Sequence, residues 1–441
     1  MIVQKFGGTS VGSAGAIARL AEIVRAHRDR SPVVVVSAVG GVTNKLFALA
    51  SQALTGEDTR APFEALVLQH QTILKELGLP EATIARELAE LERLVSGIGL
   101  VRELTPRTMD QLASFGERLS VRIVAAHLTH SGTPARAFEA HEAGLVTDGR
   151  FGAARPLPES EASIRAALQG LRECPVITGY IGRDRQGNIT TLGRGGSDYS
   201  AAIFGAALGA QEIQIWTDVD GVMSADPRLV PQARQVPRLS FAEAAELAFF
   251  GAKVLHPATM VPAIEKNIPI RVLNSFRPEH PGTAVVARLA EEERTLKSIT
   301  SKDRIAVVSI VAAPMLNQYG FLERIADVFA RHEIVVDMIA TSEVSVALTT
   351  DASAKLEPVV EELSRFSEAR VLRELAMISI VGEELQRSLR VPARVFASLE
   401  ALGVRVEMIS YGATRNNLCF LVPRERLREV VLALHRELFE R

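Results

Sequence analysis

Lys5-Phe6-Gly7-Gly8-Thr9-Ser10 decides the fold, because it marks where a first apolar strand gives way to a helix. Met1 to Phe6 reads as a short buried strand. Gly12 to Arg28 reads as a helix with Ile17, Leu20, Ile23 and Val24 on one face. Glycines at such a junction let the backbone approach a ligand closely. The helix start offers free N–H groups and a positive dipole end, and Lys5 adds a mobile point charge on the strand side. Taken alone, the hexad fits both a phosphate-holding loop and a plain turn with a surface lysine.

Working outward, residues 1 to about 285 alternate strands and helices. Val33-Val34-Val35-Val36 is a run suited to burial on both faces, as a parallel sheet requires. Helical stretches fill Leu46 to Leu54, Ala61 to Leu77 and Ala82 to Leu94, and further strands fit Pro175 to Ile181, Glu212 to Thr217 and Ile268 to Leu273. Repeated strand-helix units predict an open, doubly wound α/β sheet. The turn-rich Arg277-Pro278-Glu279-His280-Pro281-Gly282-Thr283 and the charged Glu291-Glu292-Glu293-Arg294 then mark a boundary. Beyond it a βαββαβ pattern occurs twice, over 305–375 and 376–441. The second copy runs out of chain before its last strand. Leu296 to Thr300, within a connecting stretch 286–304, is the candidate donor.

Composition narrows the class. The 441 residues are too many for one ordinary domain. Fifty basic against 52 acidic residues leave a net charge of −2, and the lysines and arginines are scattered, so there is no footprint for nucleic acid. Cys174 and Cys419 fit no metal or redox spacing. No apolar run approaches the ~18 residues of a membrane span, and the first strand leaves no room for a signal peptide. A reducing cytoplasm is the expected setting.

More loops follow apolar strands. Ser37-Ala38-Val39-Gly40-Gly41-Val42-Thr43 leaves the valine strand, and open α/β sheets bind ligands beyond such strand ends. Phe115-Gly116-Glu117-Arg118 starts a helix, where Glu117 fits either a helix-start anion or a ligand for an ammonium group. Leu192-Gly193-Arg194-Gly195-Gly196-Ser197-Asp198 opens the apolar helix Tyr199 to Leu208. Three glycines around an arginine make a flexible nest, and a guanidinium grips a carboxylate with two parallel bonds. Ser197 or Asp198 also fits the N-cap of that helix. Trp216-Thr217-Asp218-Val219 ends the next strand, Asp226-Pro227-Arg228 follows, and Gly251-Ala252-Lys253-Val254-Leu255-His256-Pro257 carries a second lysine. His256 reads as a structural partner before Pro257. There is no P-loop, no G-x-G-x-x-G turn, no H-E-x-x-H and no paired CxxC.

These motifs, in this order, resemble the aspartate kinase family: Lys-Phe-Gly-Gly-Thr-Ser at 5–10, the Ser37/Thr43 loop, Phe-Gly-Glu at 115–117, Gly-Arg-Gly-Gly-Ser-Asp at 193–198, Trp-Thr-Asp-Val at 216–219 and Gly-Ala-Lys-Val-Leu-His-Pro at 251–257. The C-terminal duplication resembles that family's pair of ACT domains. The resemblance implies an amino-acid-kinase domain with a three-layer open sheet (1–285), then two ferredoxin-like α+β ACT domains. It implies ATP-dependent phosphorylation of the L-aspartate β-carboxylate, with ATP and Mg2+ as cofactors and no assigned protein ligands for the metal. By the same resemblance, Lys5 would neutralise the transferring phosphoryl, Asp198 would orient the lysine and assist charge placement, and Gly7 and Gly8 would donate backbone N–H bonds. Arg194 would hold the α-carboxylate, Glu117 the ammonium, and Ser37 and Thr43 the reactive end, with Ser197 beside them. Thr217, Asp218, Arg228, Lys253 and Val254 would line the nucleotide pocket. Met223 stands where relatives often carry a tyrosine near the adenine, and a thioether packs on a base as well.

The first ACT copy suggests a regulatory site. Met315 to Leu322 joins a strand to a helix N-terminus, where Gly320, Phe321 and Leu322 offer N–H groups to an amino acid's carboxylate. Val336-Asp337 lies on the next strand, and Ser342-Glu343 adds a hydroxyl and a second acid. Two acids suit a ligand with two ammonium groups. The segment resembles lysine-sensitive aspartate kinases, with threonine as the alternative effector. ACT sites of this kind imply a homodimer or homotetramer. Two other readings are a different amino-acid-kinase-fold enzyme and a catalytically dead ligand sensor.

Overall fold

Pro32–Val36 is buried at every position, as its β-branched run demands of a strand covered on both faces. The computed structural model describes residues 1–251, 257–311, 319–351, 355–412 and 416–440. They fall into two compact units. The first holds described residues 1–222, 237–241 and 257–288; the second holds 223–236, 242–251 and 289–440.

An eight-stranded sheet runs through the first unit in the order Ala135–Phe138, Cys174–Thr178, Pro32–Val36, Ile2–Phe6, Ile213–Thr217, Ile270–Asn274, Thr283–Val286, Arg238–Ser240. Neighbours are parallel as far as Ile270–Asn274, which pairs antiparallel with Thr283–Val286. Lys5 lies opposite both Val35 and Ile215, so its strand sits mid-sheet. Phe6 and Trp216, one register step on, stack at 6.0 Å. Ala14–Ala26 buries Ile17, Leu20, Ile23 and Val24 on the face that the sequence periodicity indicated.

Two expectations are corrected here. Pro175 to Ile181 is not one strand: Cys174–Thr178 ends before Gly179-Tyr180, and Ile181–Asp184 enters a separate sheet with Val146–Thr147 and Ile189–Thr191. Tyr180 makes the break, at φ 65, a left-handed conformation uncommon for a tyrosine. Nor is the stretch 1–285 one continuous domain. Ala225 and Val230 pack into a core with Ile378, Ile380 and Leu434, and Phe250 packs with Met377 and Met408, so 223–236 and 242–251 belong to the second unit. His435, fully buried there, places its ring nitrogens 2.8 Å from Ser224 Oγ and 2.9 Å from Glu440 Oε1.

The second unit is built on a six-stranded antiparallel sheet, ordered Met338–Thr341, Ser345–Asp351, Leu296–Val311, Glu368–Gly382, Asn417–Pro423, Met408–Tyr411. Its two central strands are long because each serves both copies of the repeat. Ile305 to Val311 pairs with Ser345–Asp351, while Ile299 and Thr300 of the same strand pair with Ile380 and Ser379. From Leu296 onward the stretch 286–304 is thus strand rather than connection. Helices Phe321–Arg331 and Leu356–Leu363 cover the first copy, and Arg390–Ala401 and Leu427–Phe439 the second. Among the described residues no helix is long and apolar enough to cross a membrane.

Ile299 and Ile380 are both buried in one core, at 1% and 0% exposure. If the early strand is integral to the second copy, Ile299→Ala is expected to destabilise this unit as much as Ile380→Ala does. Each should cost about 2–5 kcal/mol, read from urea denaturation midpoints.

Candidate active site

At the carboxyl ends of the central strands, two loops are pressed together. Ser37 donates its N–H to Phe6 O at 3.1 Å, which draws the Ser37-Thr43 loop against the hexad. Behind them Phe115–His130 brings Glu117, and Gly196–Leu208 brings Ser197 and Asp198. These elements enclose a cavity of about 600 Å³. Lys5, Gly8, Ser37, Thr43, Glu117, Arg194, Ser197 and Asp198 all line it.

Lys5 Nζ lies 2.6 Å from Asp198 Oδ1, with both side chains largely shielded from solvent. The helix bearing Asp198 begins earlier than the sequence indicated. Gly195 (φ 70) is its N-cap, so Ser197 and Asp198 stand in the first turn and neither caps. An acid there is favoured by the helix dipole as well as by the lysine. Gly193 is also left-handed (φ 79), and a Cβ at that position would meet Gly152 O at 2.9 Å. Arg194, between these glycines, is exposed to the cavity.

Glu117 is 3% exposed. Its Oε1 accepts the Ala38 N–H at 3.1 Å, and its Oε2 has no hydrogen-bond partner among the described residues. Burial pushes this carboxyl up to about 8, against the opposing pull of the Ala38 N–H and the Lys5 ammonium. The loops meet closely here, since a Cβ on Gly116 would sit 2.7 Å from Ala38 Cβ. The next residue anchors the helix: Arg118 pairs with Glu139 at 2.8 Å and Glu90 at 2.6 Å.

Other expected residues fall elsewhere. Gly7 does not offer a free N–H, because that group donates to Trp216 O at 3.0 Å as part of strand pairing. Thr217 and Asp218 end the strand beside Lys5's own, with Thr217 Oγ1 donating to Asp218 at 3.1 Å. Met223 and Arg228 belong to the second unit, where Arg228 is paired with Asp226 at 2.6 Å. Lys253, Val254 and Met315 lie outside the described residues. Of the regulatory residues, Gly320 (φ 79) caps Phe321–Arg331 and Leu322 is exposed. The side chain of Phe321 is buried in the core, edge-on to Phe366, and Val336, partly buried, packs against the same core. Asp337 accepts Lys302 Nζ at 2.8 Å. Ser342 and Ser345 hydroxyls meet at 2.6 Å, and Glu343 is exposed in the turn between them.

The sequence reading missed a residue of the cavity wall and an acid buried behind it. Tyr180 lines the cavity beside Arg194, and no local pattern marks it. Asp110, 3% exposed, accepts three hydrogen bonds from Gly152 and Thr191. A lone acid among Met109, Leu112 and Ala113 was its only signal. Among the described residues no group of three or more His, Cys, Asp or Glu side chains is placed to hold a metal ion.

The profile of the amino acid kinase family matches residues 1–274, and that of an ACT domain matches residues 378–438. The chain is 41% identical to Aspartokinase 3, chloroplastic, of Arabidopsis thaliana, covering 99% of this chain and 81% of that one. It is 39% identical to Lysine-sensitive aspartokinase 3 of Escherichia coli K12, over 100% of this chain and 99% of the other. It superposes on the crystal structure of E. coli aspartokinase III in complex with aspartate and ADP with a TM-score of 0.85. There the identity is 37%, with both chains fully covered.

Glu117 carries a prediction that depends on its burial alone. Its folded pKa stands above the ordinary 4.5, so its contribution to stability is full below about 4.5 and is lost as pH rises to about 8. Glu117→Gln is expected to gain on wild type steadily across that window and to keep a constant advantage above it. Denaturant midpoints of the two proteins at successive pH values measure the difference.

Proposed function

The chain belongs to the aspartokinases of the amino acid kinase family, and from that premise we infer that the cavity at the strand ends is where ATP phosphorylates the β-carboxylate of L-aspartate, giving 4-phospho-L-aspartate. This is an early step of lysine, threonine and methionine biosynthesis. The observation that carries the reading is the combination in one cavity of a lysine-aspartate pair, an arginine between glycines, and a buried acid with one oxygen unpartnered.

The chemistry asks little of a base. A carboxylate with a pKa near ~4 is already ionised at neutral pH, so attack on the γ-phosphorus needs no proton removed. Positioning and charge neutralisation do nearly all the work of phosphoryl transfer. Arg194 suits the α-carboxylate, because its planar fork makes two parallel bonds. Glu117 Oε2 suits the ammonium. The incoming positive charge favours the ionised form of Glu117, so binding releases a proton wherever the free site holds it. Ser37 and Thr43 hold the reactive carboxylate, with Ser197 beside them. Lys5, held by Asp198, meets the negative charge that moves between the oxygens, and Gly8 supports the phosphate from the backbone.

Thr217 and Asp218, at the end of the strand beside Lys5's own, are assigned to the nucleotide. Asp198 and Glu117 are the carboxylates lining the cavity, and Asp198, nearer the phosphate loop, would be the one to help hold a magnesium ion that screens the ATP phosphates. The enzyme works in the cytoplasm, as a homodimer or homotetramer, without nucleic acid or membrane.

Lysine is the proposed feedback effector, acting through the first ACT copy at Gly320, Leu322, Asp337, Ser342 and Glu343. Asp337 already pairs with the Lys302 ammonium, and a bound lysine would take that ammonium's place. Inhibition requires tighter binding to the less active arrangement, because equal affinity for both shifts nothing.

Three measurements test this. Lys5→Ala is expected to cut turnover by about 10²- to 10³-fold, the usual loss when a positioned charge is removed from a transition state; near-normal turnover would sink the assignment. Arg194→Lys keeps the charge but loses the fork, so the apparent affinity for aspartate should fall steeply. In activity titrations, lysine rather than threonine should inhibit, and Asp337→Ala should abolish the effect. Inhibition by threonine alone overturns the choice of effector.

A further inference from the structure

Asp110 takes no part in the reaction as derived above, yet it is buried against the part of the cavity that reads the amino acid. Its Oδ2 accepts the Gly152 N–H at 2.9 Å and the Thr191 N–H at 2.7 Å, and its Oδ1 accepts the Thr191 hydroxyl at 2.8 Å. Each partner leads to Arg194. Thr191 ends the strand that runs through Leu192 into Gly193 and Arg194. Gly152 lies under Gly193, so near that a Cβ on Gly193 would touch its carbonyl oxygen. The arginine loop thus has no rigid support of its own. Two left-handed glycines flank the arginine, and the acid beneath holds both strands of its base.

Asp110 is tied just as closely to Glu117. It sits on the Pro106–Ala113 helix, and its carbonyl accepts the N–H of Ser114, whose own carbonyl accepts the N–H of Arg118. Ser114 alone separates that helix from Phe115–His130, which carries Glu117. One buried side chain therefore ties the helix that leads directly into the Glu117 helix to the base of the loop that presents Arg194. A carboxylate in that place costs free energy through lost hydration, and burial does push its pKa upward. Its three donors offset the cost only while the loop stays docked.

We propose that Asp110 is a positioning residue that sets the span between Glu117 and Arg194, so that the site grips the ammonium and the α-carboxylate of one amino acid together. The proposal rests on the reading of Glu117 and Arg194 given above. A ligand held at both ends depends on that span, whereas one held at a single end does not. Succinate, which is aspartate without its ammonium, keeps both carboxylates but has nothing for Glu117 to hold, so it is the probe that does not read this span.

The experiment measures KM for aspartate, KM for ATP, kcat, and the competitive Ki of succinate in Asp110→Ala, Asp110→Asn, Thr191→Val and Glu117→Gln. In Asp110→Ala, KM for aspartate should rise about tenfold, as expected when a set of buried hydrogen bonds is lost, with Ki for succinate and KM for ATP within about twofold. Asp110→Asn should recover most of the loss, because its amide oxygen still accepts both N–H groups and its amide nitrogen faces the Thr191 hydroxyl. Thr191→Val, which removes one bond of the three, should fall between. It also decides the matter by the same ratio should Asp110→Ala not fold. A wild-type ratio of succinate Ki to aspartate KM in the Asp110 and Thr191 variants, with a lowered ratio in Glu117→Gln, overturns the proposal alone. An unchanged ratio in Glu117→Gln overturns the reading of Glu117 and the proposal with it. Equal rises in both KM values mark a general loosening and overturn the positioning role.

Discussion

The ion pair between Lys5 and Asp198 is the contact around which the first unit is organised. Two charges at 2.6 Å, their side chains 11% and 17% exposed, are costly to remove from water unless backbone and neighbours hold them in place. The sheet supplies half of that support, because Lys5 lies on a strand flanked by parallel neighbours on both sides. The helix start supplies the rest, since Asp198 in its first turn is stabilised by the dipole as well as by the lysine. Once the pair is held, the surrounding loops have little freedom. The Ser37 loop is drawn in by the Phe6 carbonyl, and Glu117 is fixed behind it by the Ala38 N–H.

The same site shows how a kinase with a carboxylate acceptor divides its charges. Lys5 is paired with Asp198, Arg194 opens to the cavity between two glycines, and Glu117 keeps one carboxylate oxygen without a hydrogen-bond partner among the described residues. Glu117 is the group most altered by the fold, because desolvation raises its pKa while nearby positive charge lowers it. A bound ammonium tips that balance.

The second unit follows a different constraint, that each copy of the repeat borrows a strand. Leu296–Val311 and Glu368–Gly382 each run through both halves of one antiparallel sheet, so neither copy closes its sheet from a contiguous segment. Both strands bend midway: Arg304 (φ 60) and Glu374 (φ 56) take left-handed conformations where the register shifts between the halves. The Asp337 acid receives Lys302 from just before this bend.

Much of this was legible in the chain itself. Apolar runs such as Val33-Val34-Val35-Val36, the glycine-rich turns and the repeated βαββαβ pattern determined the two fold types, because burial on two faces and chain reversal leave local marks in composition. They also pointed to the loops that line the cavity, since loops at the carboxyl ends of parallel strands must converge. What only the tertiary structure decided was everything that depends on partners distant in sequence. Asp110 looked like an ordinary helical acid until Thr191 and Gly152 closed on it. The Gly7 N–H looked free until Trp216 took it, and Ala225 and Val230 looked like part of the first domain until they packed beside Ile378 and Leu434. Pattern along a chain records which face a residue turns inward; it carries no record of which atom it meets there.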